Sequence, residues 1–265
     1  MSYQDELLNW YDTNKRDLPW RNTTTPWHII VSEIMLQQTQ VDRVLPKYES
    51  FLKAYPTPQS CAKASVPELL SHWQGLGYNR RALYLKRIAE NFPKELPRDP
   101  KDLQKLPGIG LYTANAILAF TYNDNVMVND TNIQRALSRI KGKVLTNDEI
   151  FNELPHGKSR DWYNALMDFG ALICHAQKPA CTECPIKKHC KNPGLTFTKP
   201  KAAKFEGSNR MYRGKLLRLL LAEKKLSIQR ASTLLKITTK QTEALATELA
   251  KEGFLKKEKT VLLTK

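Results

Sequence analysis

The sequence lacks any long apolar run. Its longest uncharged stretch, residues 106–123, contains one proline, two glycines and several hydroxyl and amide side chains, so it is too polar to span a bilayer. The first twenty residues alternate charged with apolar side chains and contain no segment that resembles the apolar part of a signal peptide. We therefore expect a cytoplasmic protein with no membrane-spanning segment, in which cysteines are reduced or bound to metal.

Acidic residues are also scarce. The 265 residues include 26 Asp and Glu against 42 Lys and Arg, which gives a net charge of +16 and a pI near 9.6. Residues 210–265 alone hold 14 basic and 5 acidic side chains. This excess favours a polyanionic partner such as a nucleic acid, because Lys and Arg neutralise phosphates. A solubilising surface is the alternative interpretation.

Alternating strand patterns are almost absent, which predicts an all-α body. Apolar residues recur at spacings of three and four, as on one face of a helix, in the stretches 29–44, 82–92, 113–120, 133–140 and 162–173. Proline- and glycine-rich segments interrupt them at 56–58, 93–100 and 107–110. These segments predict short helices joined by short connections.

The chain is predicted to contain two domains. Residues 196–209 have little periodicity and are predicted to form a linker, so the boundaries are 1–195 for the body and 210–265 for a second, smaller domain. The body is long enough to bury a core of its own, since 41% of the chain is hydrophobic.

The small C-terminal domain resembles a winged helix-turn-helix. Helix caps are predicted at Ser227 and at Thr238 or the next residue, and a helix end at Gly253. A β-hairpin is predicted from the segments 254–257 and 260–264. Three helices followed by a basic hairpin favour a DNA-binding module. A helical cap that packs on the body, with its lysines in solvent, is the alternative.

Four of the five cysteines are crowded into 17 residues. These are Cys174, Cys181, Cys184 and Cys190. Four thiolates so close in a reducing compartment predict a metal centre, with zinc and a [4Fe–4S] cluster as the two candidates. Only one Cys-x2-Cys pair is present, and the uneven spacing of the other two favours the cluster. Cys61 lies far away in an apolar context and is predicted to be a core residue.

A glycine turn and a later aspartate form a second pattern. Gly108 and Gly110 precede an apolar helix and could bring backbone N–H groups to a phosphate oxygen, although a plain helix–helix turn would use the same residues. Asp130 ends an apolar run just before another helix. By itself, such an aspartate indicates an N-cap.

Taken together, these motifs resemble the helix-hairpin-helix DNA glycosylases of the endonuclease III superfamily. The resemblance is greatest to the MutY-type adenine DNA glycosylases and covers about residues 3–195. It rests on the glycine hairpin, the aspartate twenty residues later and the four cysteines, together with four further motifs: Leu-Pro-Trp-Arg at 18–21, Ser-Glu-Ile-Met-Leu-Gln-Gln-Thr-Gln-Val at 32–41, Gly-Leu-Gly-Tyr at 75–78 and Met-Asp-Phe-Gly-Ala at 167–171. The fold implied has two helical subdomains flanking an active-site cleft and a [4Fe–4S] cluster loop.

The resemblance assigns two carboxylates to catalysis. Glu33, set among apolar residues that raise the pKa of a carboxyl, would protonate N7 of a flipped adenine. Asp130 would stay ionised and stabilise the oxocarbenium-like sugar. Tyr112 and Asn132 match positions that support Asp130 and the attacking water. Two residues after Gly110, where strand-cleaving members carry a lysine nucleophile, this chain has Tyr112, which predicts a monofunctional glycosylase.

Further residues are assigned to the base pocket and to DNA. The expected base-pocket residues are Arg16, Leu18, Trp20, Arg21, Val41 and Asp168. The expected DNA-contacting residues are Gln37, Gln38, Thr39, Leu76, Tyr78, Gly108 and Gly110. Ordinary core packing is the alternative for each apolar or aromatic member.

The chain departs from the family pattern at Leu111, at Thr131 and at Asn79. Typical members also continue into a Nudix-like domain that inspects 8-oxoguanine, where this sequence has the winged-helix candidate. The expected function is excision of adenine mispaired with 8-oxoguanine or guanine, by a monomer bound to double-stranded DNA near the nucleoid. A thymine or uracil glycosylase of the same superfamily and a non-catalytic DNA-binding protein are the alternatives.

Overall fold

The structure is a computed structural model that describes residues 1–197 and 204–264. Helices dominate it and a small sheet lies near the C-terminus, so the expected all-α class is confirmed. Part of the predicted linker, residues 198–203, lies outside the described residues. Within the described ranges, no helix combines the length and the apolar character that a membrane span requires.

The body is built from short helices. In chain order they are α1 (Tyr3–Asn14), α2 (Pro26–Leu36), α3 (Val41–Ala54), α4 (Pro58–Lys63), α5 (Val66–Trp73), α6 (Arg80–Glu90), α7 (Pro100–Leu103), α8 (Leu111–Tyr122), α9 (Thr131–Lys141), α10 (Asn147–Phe151) and α11 (Ser159–Leu172). Two 3-10 turns cover Pro19–Arg21 and Lys187–His189. Proline occupies the first turn of α4, α5 and α7, where its missing N–H leaves no hydrogen bond unmade.

The described residues form two compact units. Unit one contains residues 1–33 and 95–197, and unit two contains residues 34–94 and 204–264. Unit two therefore combines part of the predicted body with the predicted C-terminal domain. The linear boundaries 1–195 and 210–265 stay a prediction.

The core of unit one surrounds α8. Every residue of α8 from Thr113 to Thr121 is buried, as expected for a helix that is apolar on all sides. It packs against α7 and α11, and α11 also packs against α1 and α9. This arrangement fixes the start of α8 and the start of α9, which carry several of the predicted site residues.

The predicted helical stretch 29–44 is broken in two, which corrects the expectation of one continuous pattern. Helix α2 ends at Leu36, Gln38 adopts a left-handed φ of 54°, and α3 begins at Val41. The break follows from tertiary contacts. The guanidinium of Arg81 binds the backbone carbonyls of Ile34 and Met35, which would otherwise lack partners at a helix end.

The C-terminal part of unit two mixes helices and strands. It contains α12 (Asn209–Glu223), β1 (Lys225–Ser227), α13 (Ile228–Leu235), α14 (Thr239–Glu252), β2 (Leu255–Glu258) and β3 (Val261–Thr264). The strands are antiparallel in the order β1-β3-β2, with Leu226 opposite Leu262. Ser227 and Thr238 cap α13 and α14, as predicted, and Gly253 ends α14 with a φ of 92°. The hairpin is confirmed, while strand β1 was missed because three residues are too few for a visible alternation.

Candidate active site and cysteine loop

Asp130 is the N-cap of α9. Its carboxylate accepts hydrogen bonds from the backbone N–H groups of Asn132 (2.8 Å) and Ile133 (2.7 Å). The side-chain amide of Asn132 donates a third hydrogen bond, at 3.0 Å. These donors and the positive end of the helix dipole stabilise negative charge on the carboxylate. The capping role that the sequence indicated is confirmed, and it leaves Asp130 suited to act as an anion.

Glu33 lies in the opposite kind of environment. It is in the last half of α2 and only 7% exposed. Burial raises the pKa of its carboxyl to about 8, and the negative charge of Asp130 contributes to that rise. Glu33 is therefore mainly protonated at neutral pH and can give up a proton. The structure thus places the two carboxyl groups close enough to interact, with Glu33 holding its proton and Asp130 accepting hydrogen bonds.

Tyr112 belongs to the same group. It is the second residue of α8, and 38% of its surface is exposed. Desolvation of its hydroxyl, with the charges of Glu33 and Asp130, raises the pKa of the phenol well above its ordinary value. The hydroxyl therefore stays protonated and can donate a hydrogen bond. A phenol held in this form is a poor nucleophile.

The glycine hairpin leaves the start of α8 open. Gly108 has a φ of 77°, a backbone conformation that favours glycine. Gly110 is the N-cap of α8, where no side chain caps the helix and a Cβ would meet nothing within 4 Å. Leu111 is 52% exposed beside it. The start of α8 is thus exposed at Gly110 and Leu111, as an anion-binding helix start requires.

The structure brings together three of the predicted pocket residues in unit one. The fully buried carboxylate of Asp168 accepts hydrogen bonds from Arg16 Nε (2.6 Å) and Arg21 Nη2 (2.7 Å). Burial alone would raise the pKa of Asp168, but Arg21 and Arg16 outweigh it and hold that pKa below its usual range. Leu18 and Trp20 are buried on the connecting segment. These contacts hold the 16–21 segment against α11.

The remaining predicted residues lie in unit two, around Arg81. Its Nη1 donates to the carbonyls of Ile34, Met35 and Gln37, and its Nη2 donates to Thr39 Oγ1 and to the carbonyls of Leu76 and Gly77, all at 2.6–3.2 Å. A guanidinium that is 4% exposed thus holds the 37–39 loop against the 75–78 loop. Gln38 and Tyr78 both have positive φ in these loops. Val41 follows as the first residue of α3.

Arginines of α9 hold the cysteine loop. Arg139 donates to the sulfur of Cys174 at 3.3 Å and to the carbonyls of His175 (2.7 Å) and Ala176 (2.9 Å). The thiol of Cys190 donates to the Arg139 carbonyl at 3.4 Å. These contacts fix Cys174 and Cys190, the first and last of the four cysteines, against α9.

The four thiols of the cysteine loop lie near one another. Burial raises the pKa of Cys184 to about 11, and Cys174, Cys190 and Cys181 each raise it too, so the four sulfurs lie near one another. Among the residues that the structure describes, no three Cys, His, Asp or Glu side chains converge on a site for one metal ion. Four cysteine thiols grouped in one loop are the kind of donor set that an iron–sulfur cluster or a zinc ion takes. Cys61 is fully buried elsewhere, as predicted.

A further hydrogen-bond chain joins the cysteine loop to Asp130. Arg135, which is 6% exposed, donates to the carbonyls of Cys174 and Gly170 and to Asn132 Oδ1, each at 2.7 Å. A Cβ on Gly170 would lie 2.6 Å from the Cβ of Asn132. Sequence reasoning missed Arg81, Arg135 and Arg139, and it assigned no role to Gly170 of the Met-Asp-Phe-Gly-Ala motif. The only signal for two of them was the placement of Arg135 and Arg139 one turn apart among the apolar residues of α9.

Comparison with known proteins agrees with this geometry. Residues 31–154 match the model of the HhH-GPD superfamily base excision DNA repair proteins. The adenine DNA glycosylase of Mycolicibacterium smegmatis is 39% identical over 232 residues, which cover 81% of this chain and 79% of the relative. The adenine DNA glycosylase of Mus musculus is 34% identical over 213 residues, which cover 72% of this chain and 41% of the relative.

Two solved structures are similar in fold. A thermostable thymine-DNA glycosylase has a TM-score of 0.65 and 30% identity, with 71% of this chain and 94% of that chain covered. A non-covalent endonuclease III–DNA complex has a TM-score of 0.61 and 21% identity, with 72% and 93% covered. This chain therefore belongs to the HhH-GPD superfamily of base excision DNA repair proteins, in the family of the adenine DNA glycosylases.

Proposed function

We propose that this protein is a monofunctional DNA glycosylase that removes adenine mispaired with 8-oxoguanine or guanine. The observation that carries the proposal is the contrast between two neighbouring carboxyl groups: Glu33 is buried and keeps its proton, whereas Asp130 caps α9 and accepts three hydrogen bonds. Cleavage of an N-glycosidic bond needs both, because the leaving base must gain a proton while the sugar develops positive charge.

In the proposed reaction, Glu33 donates its proton to N7 of an adenine flipped out of the duplex. The bond between the adenine nitrogen and C1′ of the sugar then breaks, and its electron pair leaves with the base. Asp130 stabilises the positive charge that develops on the sugar. A water molecule adds to C1′ and passes a proton to the Glu33 carboxylate, which restores the acid and leaves free adenine and an abasic site. Asn132 orients Asp130 through the hydrogen bond to its carboxylate.

Tyr112 supports the monofunctional assignment. It occupies the hairpin position where strand-cleaving relatives carry a lysine, and its raised pKa keeps it a hydrogen-bond donor. A strand-cleaving mechanism would need an amine that forms a covalent imine with the sugar. We therefore expect borohydride to trap no covalent enzyme–DNA adduct in high yield.

The roles of the base-pocket and DNA-contacting residues are assigned from the family resemblance. The Asp168 group with Arg16, Leu18, Trp20 and Arg21 would shape the base pocket, with Val41 contributing from α3. The Gln37–Thr39 segment with Leu76 and Tyr78 would fill the stack around the extruded base. Gly108 and Gly110 would admit a backbone phosphate to the start of α8.

Three further assignments complete the proposal. The chain binds double-stranded DNA as a monomer at the nucleoid, since its substrate is there. Residues 210–265 form a winged-helix-like domain whose basic side chains bind the phosphates of the duplex. Cys174, Cys181, Cys184 and Cys190 hold a [4Fe–4S] cluster, which would fix the loop on α9 and whose content is measurable as iron and sulfide in protein purified without oxygen.

A base-release panel tests the function. Wild-type protein is incubated with duplexes that contain A·8-oxoguanine, A·G, T·G and U·G, and free base is measured under single-turnover conditions. We expect adenine release from the first two duplexes. Thymine or uracil release without adenine release would instead favour the alternative that the solved thymine-DNA glycosylase suggests. Binding without release from any duplex would favour the non-catalytic alternative.

A further inference from the structure

Helix α12 in unit two carries an exposed stripe of positive charge. Arg210, Gly214 and Arg218 are spaced four residues apart, so they share one face of the helix, and Lys215 lies beside them. The three cations of this α12 stripe are exposed, and in the described part of the chain none of them forms an ion pair. The one acidic residue of α12, Glu223, is its last residue and is paired with α13.

Helix α14 has the opposite balance of charge. It contains two lysines and three glutamates. Glu243 is paired with Lys257 on β2 at 2.9 Å. Glu248 and Glu252 are both paired with Arg213 on α12, at 3.1 and 2.7 Å. The glutamates of α14 therefore join the neighbouring elements to this helix, and α14 presents no excess of positive charge.

This distribution is unusual for a helix-turn-helix. In such motifs the second helix normally enters the major groove of DNA. Here the second helix is α14, since α13 and α14 flank the turn at 236–238. Unpaired lysines and arginines neutralise phosphates and release counterions, whereas glutamates repel phosphates. The charge of the C-terminal elements therefore favours α12 over α14 as the helix that faces a nucleic acid.

Gly214 supplies a second, independent observation. A glycine inside a helix costs stability relative to alanine, so it usually has a packing reason. Gly170 in α11 has such a reason, because a Cβ there would lie 2.6 Å from the Asn132 side chain. At Gly214 a Cβ would meet no described atom within 4 Å. The missing side chain instead leaves a gap between Arg210 and Arg218, where the backbone of a partner can approach α12 closely.

We infer that α12, rather than α14, is the helix of the C-terminal elements that binds duplex DNA, with the sugar-phosphate backbone running along the α12 stripe. This inference rests on the proposed function and narrows it to one surface. Lys215 and Arg218 each neutralise a phosphate, and the gap at Gly214 brings the DNA backbone close to the helix. Phosphate contacts carry no sequence information, which suits an enzyme whose target base can occur in any sequence.

The first test measures the salt dependence of binding. The full chain is titrated with an undamaged duplex at several KCl concentrations, and log affinity is plotted against log salt. The double variant Lys215→Gln with Arg218→Gln should make the slope shallower by about 2, since each lost phosphate contact removes about 0.9. The matched control is Lys240→Gln with Lys251→Gln, which removes the two exposed lysines of α14 and should keep the wild-type slope.

The second test probes the close approach without a change in charge. Gly214→Gln favours the helix, but its side chain fills the gap between the two arginines. It should weaken binding to the same duplex about tenfold, as expected when one charge-assisted hydrogen bond to a phosphate is lost. Ala244→Gln, at an exposed position of α14, is the steric control and should bind as wild type does.

A wild-type slope in the α12 double variant overturns the inference, and so does wild-type affinity in Gly214→Gln. A shallower slope in the α14 double variant alone would show docking through α14, and an equal change in both double variants would show only long-range attraction. Both results also overturn the inference. Adenine release from A·G is measured separately. Its absence counts against the proposed function, whereas the undamaged duplex reports on α12 whether or not the chemistry occurs.

Discussion

The two units bury ionisable side chains for different purposes. In unit one, Glu33 is buried where only burial and a neighbouring negative charge act on its pKa, so the carboxyl keeps its proton. In unit two, Arg81 is buried against five backbone carbonyls and one hydroxyl, so its charge is spread over hydrogen bonds that shape two loops. The first arrangement changes reactivity, whereas the second fixes a surface. Substitutions in unit one should therefore mainly change the rate of adenine release, whereas substitution of Arg81 should mainly change the free energy of unfolding.

Asp130→Asn should have the largest effect, and it should be confined to chemistry. The amide keeps the shape of the side chain but cannot stabilise a positive sugar, so the single-turnover rate of adenine release should fall at least about 10³-fold, or about 4 kcal/mol. Binding to an abasic-analogue duplex should remain. Asp99→Asn, which alters the N-cap of α7 in the same unit, is the matched control and should release adenine normally. Normal release by Asp130→Asn would contradict the assigned role.

Arg81→Met should show the opposite pattern, with loss of stability as its main effect. The substitution leaves buried carbonyls without partners, at a cost of about 3 kcal/mol in the free energy of unfolding. Urea denaturation of the variant measures this cost, with Arg87→Met on the same helix as the control. If Arg81→Met were as stable as wild type, the 37–39 and 75–78 loops would need another anchor.

The sequence predicts the residues that lie in local motifs, but it does not predict contacts between residues that are far apart in the chain. Glu33, Asp130 and the four cysteines lie in local motifs, and the apolar neighbours of Glu33 already indicate a raised pKa. Arg81 binds the carbonyl of Ile34, 47 residues away, and Arg135 binds that of Cys174, 39 residues away. No local pattern identifies such partners. For the same reason the break between α2 and α3 was missed, because the residue that caps the freed carbonyls comes from another helix.

Gly170→Ala should produce an intermediate effect in unit one. The added methyl group would lie 2.6 Å from the Asn132 Cβ, so Asn132 must shift, at a cost of about 2 kcal/mol in stability. Because Asn132 binds the Asp130 carboxylate, we expect the rate of adenine release to fall about tenfold while affinity for the abasic duplex stays the same. Gly194→Ala, where a Cβ meets only the tip of Asn192 at 3.7 Å, is the control. An equal loss of rate in both variants would show that Gly170 has no specific positioning role.

Replacing Lys256 and Lys259 near the β2–β3 hairpin with Gln should have the smallest effect. If the C-terminal elements hold the phosphate backbone, the slope of log affinity against log salt should become shallower by about 1 for each phosphate that the variant no longer neutralises. Adenine release at saturating protein should not change. A slope equal to that of wild type would favour the interpretation of these lysines as a solvated face.

The pH dependence of adenine release tests the central claim most directly. Glu33 must be protonated to act as the acid, and its pKa is raised to about 8, so the protonated fraction is nearly complete at pH 6 and is lost as the pH rises through 8. The single-turnover rate on an A·G duplex should therefore be level up to about pH 7 and fall toward tenfold per pH unit above pH 8. Glu33→Gln should be slower by at least about 10²-fold and lose this fall. A Glu33→Gln variant that keeps both the wild-type rate and the wild-type pH profile would contradict the account.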